Sequence, residues 1–140
     1  MQISRYTYAA LAVLFVVGIV TQVFLAGLFL FAGGDREWHM TFGYLLELPP
    51  LLLLILAWPA RIGRSNVWLT VGLVVDVFVQ TSLPYFKGDL PIVAALHPVN
   101  ALLVLWLGVT VAMRGVALAR SAAPEPSGAV LEGSSIGQHS

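Results

Sequence analysis

Hydrophobic residues form four long runs separated by short polar connections, and this pattern predicts four membrane-crossing helices. The runs cover about residues 8–32, 40–59, 67–85 and 90–113. Each run approaches or exceeds the roughly 20 residues that cross about 30 Å of hydrocarbon at 1.5 Å per residue. A backbone inside hydrocarbon must satisfy its own hydrogen bonds, so helices are the expected structure.

The connections "GGDREWH", "ARIGRSN" and "YFKGDLP" are short, so consecutive helices should be antiparallel neighbours. The predicted fold is therefore an all-α, integral membrane four-helix bundle over residues 1–120. Residues 121–140 are rich in Ser, Gly and Pro, which predicts a disordered tail in which His139 has no role.

Composition supports the membrane interpretation. The chain is 59% hydrophobic and 10% charged, with a mean hydropathy of +0.89, and a soluble domain of 140 residues cannot bury that much apolar surface. Zero net charge gives no indication of a nucleic-acid partner, and the absence of cysteine excludes disulfides, thiolate metal sites and iron–sulfur clusters. The first run is longer than the roughly 7–15 residues of a signal-peptide core, which predicts an uncleaved span.

Basic residues are distributed unevenly between the two predicted sides of the membrane. Five fall at the N-terminus, the middle connection and the C-terminal end, whereas two fall on the other connections. The five are Arg5, Arg61, Arg64, Arg114 and Arg120, and the two are Arg36 and Lys87. The positive-inside rule then predicts a multi-pass membrane protein with both termini in the cytoplasm.

Polar side chains within the runs are candidates for function, because burying them in lipid is costly. They are Gln22, Glu47, Asp76, Gln80, His97 and Asn100, with His39 at the outer edge of the second run.

The glutamines and histidines recur with one spacing. Gln22 precedes His39 by 17 residues, and Gln80 precedes His97 by 17, so a shift of 58 superposes both pairs. The same shift places Gly43 on Ala101. We interpret the chain as two copies of a helical hairpin that cross the membrane in the same direction, which makes them parallel repeats. Equivalent residues then lie at equal depth, and the two imidazoles are expected to face each other across the bundle axis.

Two opposed neutral imidazoles suit a six-coordinate b-type haem, and we therefore predict His39 and His97 as ligands of a haem iron. Gly43 and Ala101 each lie one helical turn after a histidine. Such small residues leave room for a flat macrocycle or allow helices to approach closely.

The stretches "VTQVFLAG", "EWHMTFG", "FVQTSLP" and "ALHPVNALL" resemble the four-helix halves of haem A synthase. In that family a glutamine lies in the first helix of each hairpin, and a histidine near the outer start of the second binds haem. The resemblance implies haem ligation by His39 and His97. It does not imply haem oxidation, because this chain contains one such half and "REWHM" lacks the arginine that follows the family's histidine. Residues 8–118 also resemble an uncharacterised family of small bacterial four-helix membrane proteins, which implies a location in the bacterial plasma membrane.

Structural alternatives exist for each polar residue. His39 beside Trp38 suits the headgroup zone, and His97 before Pro98 suits a helix start with Asn100 as its partner. Gln22 and Gln80 suit hydrogen bonds between helices.

Buried carboxyls such as Glu47 and Asp76 normally stay protonated or find a partner. Together with Asn100 they suit hydrogen bonds to each other, a quinone site or a proton relay. Pro49 and Pro50 predict a kink in the second span, because neither can donate a backbone hydrogen bond.

Three functions therefore remain open at this stage. The first is a haem protein that exchanges electrons with a quinone or a membrane redox partner, or that acts as an accessory or sensing subunit. The second is a haem-free structural or accessory subunit, and the third is a component of a proton-coupled transporter. A homodimer would rebuild the eight helices of the synthase.

Overall fold

A computed structural model describes residues 2–121, and helices dominate that part of the chain. The elements are α1 (Gln2–Phe31), α2 (Arg36–Leu45), α3 (Leu48–Ala60), α4 (Arg64–Ser82), a short 3₁₀ helix (Leu83–Lys87), α5 (Pro91–Ala94) and α6 (His97–Arg120). No strand occurs within these residues. The predicted all-α class is confirmed, whereas the predicted disordered tail, with His139, lies outside the described residues.

Within residues 2–121, four helical stretches are long and apolar enough to cross a membrane, as predicted. They are Gln2–Phe31, Arg36–Ala60, Arg64–Lys87 and Pro91–Arg120. The first begins earlier than the predicted residue 8, and the last continues past the predicted residue 113. Apolar runs mark the part of a helix that lies in hydrocarbon, whereas good helix formers such as those of "MRGVALAR" extend the helix beyond it.

The four stretches alternate in direction. Arg5 at the start of α1 donates from Nε to the carbonyl oxygen of Ala60 at the end of α3 (3.1 Å). Arg114 near the end of α6 donates to Asn66 Oδ1 near the start of α4 (3.2 Å). Helix α1 packs against α2–α3 and α6, and α4 packs against α3 and α6. The stretch α2–α3 therefore lies diagonally opposite α6.

The centre of the bundle is a layer to which each stretch contributes one large side chain. Phe15, Leu53, Leu73 and Val111 are all at most 2% exposed. Large apolar side chains on the outer surface are exposed instead, among them Ile55 at 69%. A dry core surrounded by an apolar outer surface is the arrangement expected of helices whose solvent is lipid.

Prolines interrupt both histidine-bearing stretches. Helix α2 ends at Leu45, and α3 begins at Leu48 before Pro49 and Pro50, at the predicted kink. The second interruption, between α5 and α6, precedes Pro98. Proline lacks the N–H that would continue the helical ladder, so the chain changes course at both places.

Candidate functional site: a histidine pair between two diagonal helices

His39 and His97 meet inside the end of the bundle where the connections α1–α2 and α4–α6 lie. Their ring centres are 6.4 Å apart and their planes cross at 83°. Both side chains are half-buried. The two rings meet edge to face from diagonally opposite stretches, which agrees with the 58-residue shift.

The two histidines make the same hydrogen bond. His39 Nδ1 lies 3.3 Å from the backbone oxygen of Gln22, and His97 Nδ1 lies 2.9 Å from the backbone oxygen of Gln80. A carbonyl oxygen can only accept, so Nδ1 carries the hydrogen in each ring. In a neutral imidazole this leaves the lone pair on Nε2. Metal-binding histidines commonly have this tautomer, held by a carbonyl behind the ring.

The amide of Gln22 fills the space beside Gly43. Gln22 Nε2 donates to the backbone oxygen of His39 (2.7 Å), and a Cβ at Gly43 would lie 2.8 Å from that same nitrogen. Gly43 therefore allows α1 and α2 to approach, which was one of its two predicted roles. Gln22 Oε1 is buried and has no hydrogen-bond partner among residues 2–121.

The amide of Gln80 is bonded at both ends. Its Oε1 accepts from Asn100 Nδ2 (3.0 Å), and its Nε2 lies 3.5 Å from His97 Nε2. Asn100 Nδ2 also lies 3.5 Å from the backbone oxygen of Asp76. His97 is the first residue of α6, in line with the helix-start alternative, but among the described residues its ring bonds Gln80, and Asn100 bonds Gln80 in turn.

The two halves of the site differ in polarity. Phe42 and Gly18 stand 58 residues before Asn100 and Asp76, so only the second half carries this additional amide and carboxyl. Ala101, the counterpart of Gly43, is half-buried.

Glu47 and Asp76 are the two carboxyls in the spans, and Asp76 Oδ2 does not bond Glu47. That oxygen is buried, and no described residue bonds it. Glu47 is half-buried at the interruption between α2 and α3.

The sequence pattern did not predict two further polar pairs. Tyr44 and Tyr85 share a hydrogen bond between their hydroxyls (2.7 Å), and Tyr8 and Thr70 share another (2.7 Å) in the core. The partners are 41 and 62 residues apart in the chain, and no periodicity connects them. A spacing rule can find residues that recur in a repeat, but it cannot find pairs that do not.

The separation of the rings suits a shared metal. An imidazole–metal bond of about 2 Å places the metal about 3 Å from the ring centre, so two rings on opposite sides of one metal have centres about 6 Å apart. Within residues 2–121 no group of three or more His, Cys, Asp or Glu side chains is arranged to hold a metal ion. The site therefore offers two nitrogen ligands and no more from these residue types.

Comparison with known protein families gives a partial match. Residues 22–85 match a family of unknown function, DUF6220. This segment is less than half of the 140-residue chain, and it includes Gln22, His39 and Gln80 but not His97. No curated protein and no solved structure matches the chain.

Proposed function

We propose that this chain is a multi-pass protein of the bacterial plasma membrane, with both termini in the cytoplasm, that holds one b-type haem between His39 and His97. The observation that carries the proposal is that His39 and His97 make equivalent hydrogen bonds, each from Nδ1 to the backbone carbonyl of a glutamine. These bonds leave two Nε2 lone pairs on rings that meet edge to face. His97 Nε2 has one long contact, 3.5 Å to Gln80 Nε2, and the ring centres are 6.4 Å apart, so a metal between the rings would take the lone pairs of both in place of that contact.

The donor set favours haem over a bare metal ion. A structural or catalytic zinc takes three or four protein ligands. A six-coordinate b-type haem supplies four ring nitrogens of its own and needs two ligands from the protein. The arrangement of His39 and His97 supplies two. Gln22 and Gln80 orient them through their backbone carbonyls, Gly43 allows α2 to approach α1, and Ala101 keeps the equivalent position on α6 small.

The distribution of buried residues supports an internal repeat. Six buried positions recur as buried positions 58 residues later. These pairs are Ala12 and Thr70, Phe15 and Leu73, Ile19 and Val77, Pro50 and Gly108, Leu53 and Val111, and Ala57 and Gly115. We infer two parallel copies of a helical hairpin, with equivalent residues at equal depth in the membrane. Such an arrangement explains why both histidines lie at one end of the bundle.

A bound haem would supply one-electron chemistry. Because a single site near the outer face cannot span the bilayer, the protein would exchange electrons with a quinone or another membrane redox protein, or serve as a sensing or accessory subunit. Gln22 Oε1 and Asp76 Oδ2 are buried acceptors without partners, so they are the positions at which a quinol hydroxyl or a transferred proton would bond. Asn100 connects Asp76 with Gln80, and Glu47 lies on the facing stretch.

An absorption spectrum tests the proposal. Full-length protein purified from a haem-replete host should show a Soret band and a low-spin b-type spectrum. His39→Ala and His97→Ala should each remove the low-spin spectrum, because each removes one axial nitrogen. His139→Ala is the matched control and should leave it unchanged. A colourless wild-type protein, or an unchanged spectrum in His39→Ala, would contradict the proposal.

A haem-free structural role is the second candidate, and a specific observation favours it. Both histidines already bond neighbouring helices, and interhelical hydrogen bonds of this kind contribute about 0.6 kcal/mol each in membrane proteins. In that case His97→Ala lowers stability, and neither it nor the wild type has a chromophore.

A further inference from the structure

An open groove runs between α1 and α6 on the outer surface of the bundle, at the end opposite the histidines. Its volume is about 400 Å³. Valines dominate its walls, alanines form part of its lining, and one cation, Arg120, lies at its end. The lining includes Val13 and Val17 of α1 and Val109, Val116 and Ala117 of α6.

The groove has the length of one lipid tail. It follows α6 from Val109 to Arg120, which at 1.5 Å per residue is about 16 Å. One leaflet of a hydrocarbon core about 30 Å thick is about 15 Å deep. An acyl chain lying in the groove therefore reaches from the headgroup level to the bilayer centre. The β-branched valines keep the walls stiff, so little side-chain entropy is lost when a chain binds.

A positive charge, that of Arg120, lies at the end of the groove. Arg120 is exposed in the last turn of α6, and within residues 2–121 its side chain has no hydrogen-bond or ion-pair partner. Arg5 and Arg114 at the same end are bonded to Ala60 and Asn66.

The carboxylates of the described part of the chain lie away from this end of the bundle. Those of Asp35, Glu37 and Asp89 are at the opposite end, and those of Glu47 and Asp76 are inside the spans. Basic pockets beside membrane helices bind phosphate headgroups on the cytoplasmic side.

We propose that this groove is a binding site for an anionic phospholipid, with one acyl chain between α1 and α6 and its phosphate at Arg120. The proposed phosphate position at Arg120 is 23 residues from His97 along α6, which is about 35 Å, and the site does not depend on haem. A neutral phospholipid has the same acyl chains but no net charge, so a preference for the anionic lipid would come from its headgroup.

Retention of lipid by the purified full-length protein tests this site. Native mass spectrometry counts the lipids kept after transfer from nanodiscs of equal phosphatidylglycerol and phosphatidylcholine with identical acyl chains. The wild type should keep phosphatidylglycerol in preference. Arg120→Gln should lower that retention about five-fold, the effect of about 1 kcal/mol for one cation near an anionic headgroup. Arg64→Gln, which removes the same charge from an exposed arginine at the same end, should change it by less than about two-fold.

A second pair of variants tests the groove itself. Ala117→Leu places a larger side chain in the groove and should lower retention of the bound lipid, whereas Ala10→Leu, on an exposed position outside the groove, should not. Equal losses in Arg120→Gln and Arg64→Gln, or equal retention of the two lipids by the wild type, would overturn the proposal. A wild-type dimer that Ala117→Leu dissociates would also overturn it, because a second copy of the chain would then occupy the groove.

Discussion

Replacing Gln80 by methionine should destabilise the bundle, whereas the same replacement at Gln22 should have little effect. The two glutamines are 58 residues apart and take equivalent places in the proposed repeat. Methionine has nearly the shape of glutamine but neither the carbonyl nor the amide. The backbone bonds to His39 and His97 survive both changes, so the comparison isolates the side-chain amides.

The expected difference follows from the partners of each amide. Gln80 accepts from Asn100 at 3.0 Å and lies 3.5 Å from His97 Nε2. An interhelical hydrogen bond in a membrane protein contributes about 0.6 kcal/mol on average and about 1.7 kcal/mol at most. The loss of both contacts should therefore lower the free energy of unfolding by about 1–2 kcal/mol. Gln22 loses one bond to the oxygen of His39. Removal of its unpaired, buried Oε1 offsets that loss by about 1 kcal/mol, which leaves a net effect near zero.

Reversible unfolding in mixed micelles of increasing sodium dodecyl sulfate measures the free energy of unfolding of both variants and the wild type. The wild type is the reference, and equal slopes of the three transitions would show that the variants unfold to comparable states. If Gln22→Met costs as much as Gln80→Met or more, the assignment of hydrogen bonds in the two halves is wrong.

Two further predictions concern packing and hydrogen bonds at the other end of the bundle. Gly115→Ala should lower the free energy of unfolding by about 1–3 kcal/mol, because its Cβ would lie 3.1 Å from the ring of buried Tyr8. Gly72→Ala has open space around the new Cβ, so it should be neutral or raise the free energy of unfolding by up to about 1 kcal/mol. The same unfolding assay checks this pair, and equal effects would contradict the packing of α1 against α6. Tyr8→Phe and Thr70→Val should each cost about 1 kcal/mol, and a double-mutant cycle should give a coupling energy of about 0.5 kcal/mol or more, because their hydroxyls share one buried bond. Additive effects would show that the bond contributes nothing.

Much of the fold could be predicted from the sequence, because lipid imposes a simple rule on it. A run of about 20 apolar residues has one stable structure in hydrocarbon, so the number and order of the helices follow from hydropathy alone. The ends of the helices do not follow from hydropathy. Helix α6 continues to Arg120 because its last two turns contain good helix formers, which apolar runs do not detect.

The candidate site was only partly predictable. The equal spacing of Gln22 to His39 and Gln80 to His97 predicted which residues meet, because repeated spacing places equivalent residues at equal depth. It did not predict that the backbone carbonyls of the glutamines, and not their side chains, would orient both rings. Nor did it predict the partner of Asn100, since Phe42 takes the equivalent place and the repeat carries no information about residues that differ between the copies.

The haem-to-protein ratio of the full-length chain, purified from a haem-replete host and determined as the pyridine haemochrome, tests the central claim most directly. The account predicts one haem b per chain, because His39 and His97 together provide one pair of axial nitrogens. A wild-type protein that is folded and monodisperse but contains no haem would contradict the account. The histidine pair would then have a structural role, as hydrogen bonds between helices.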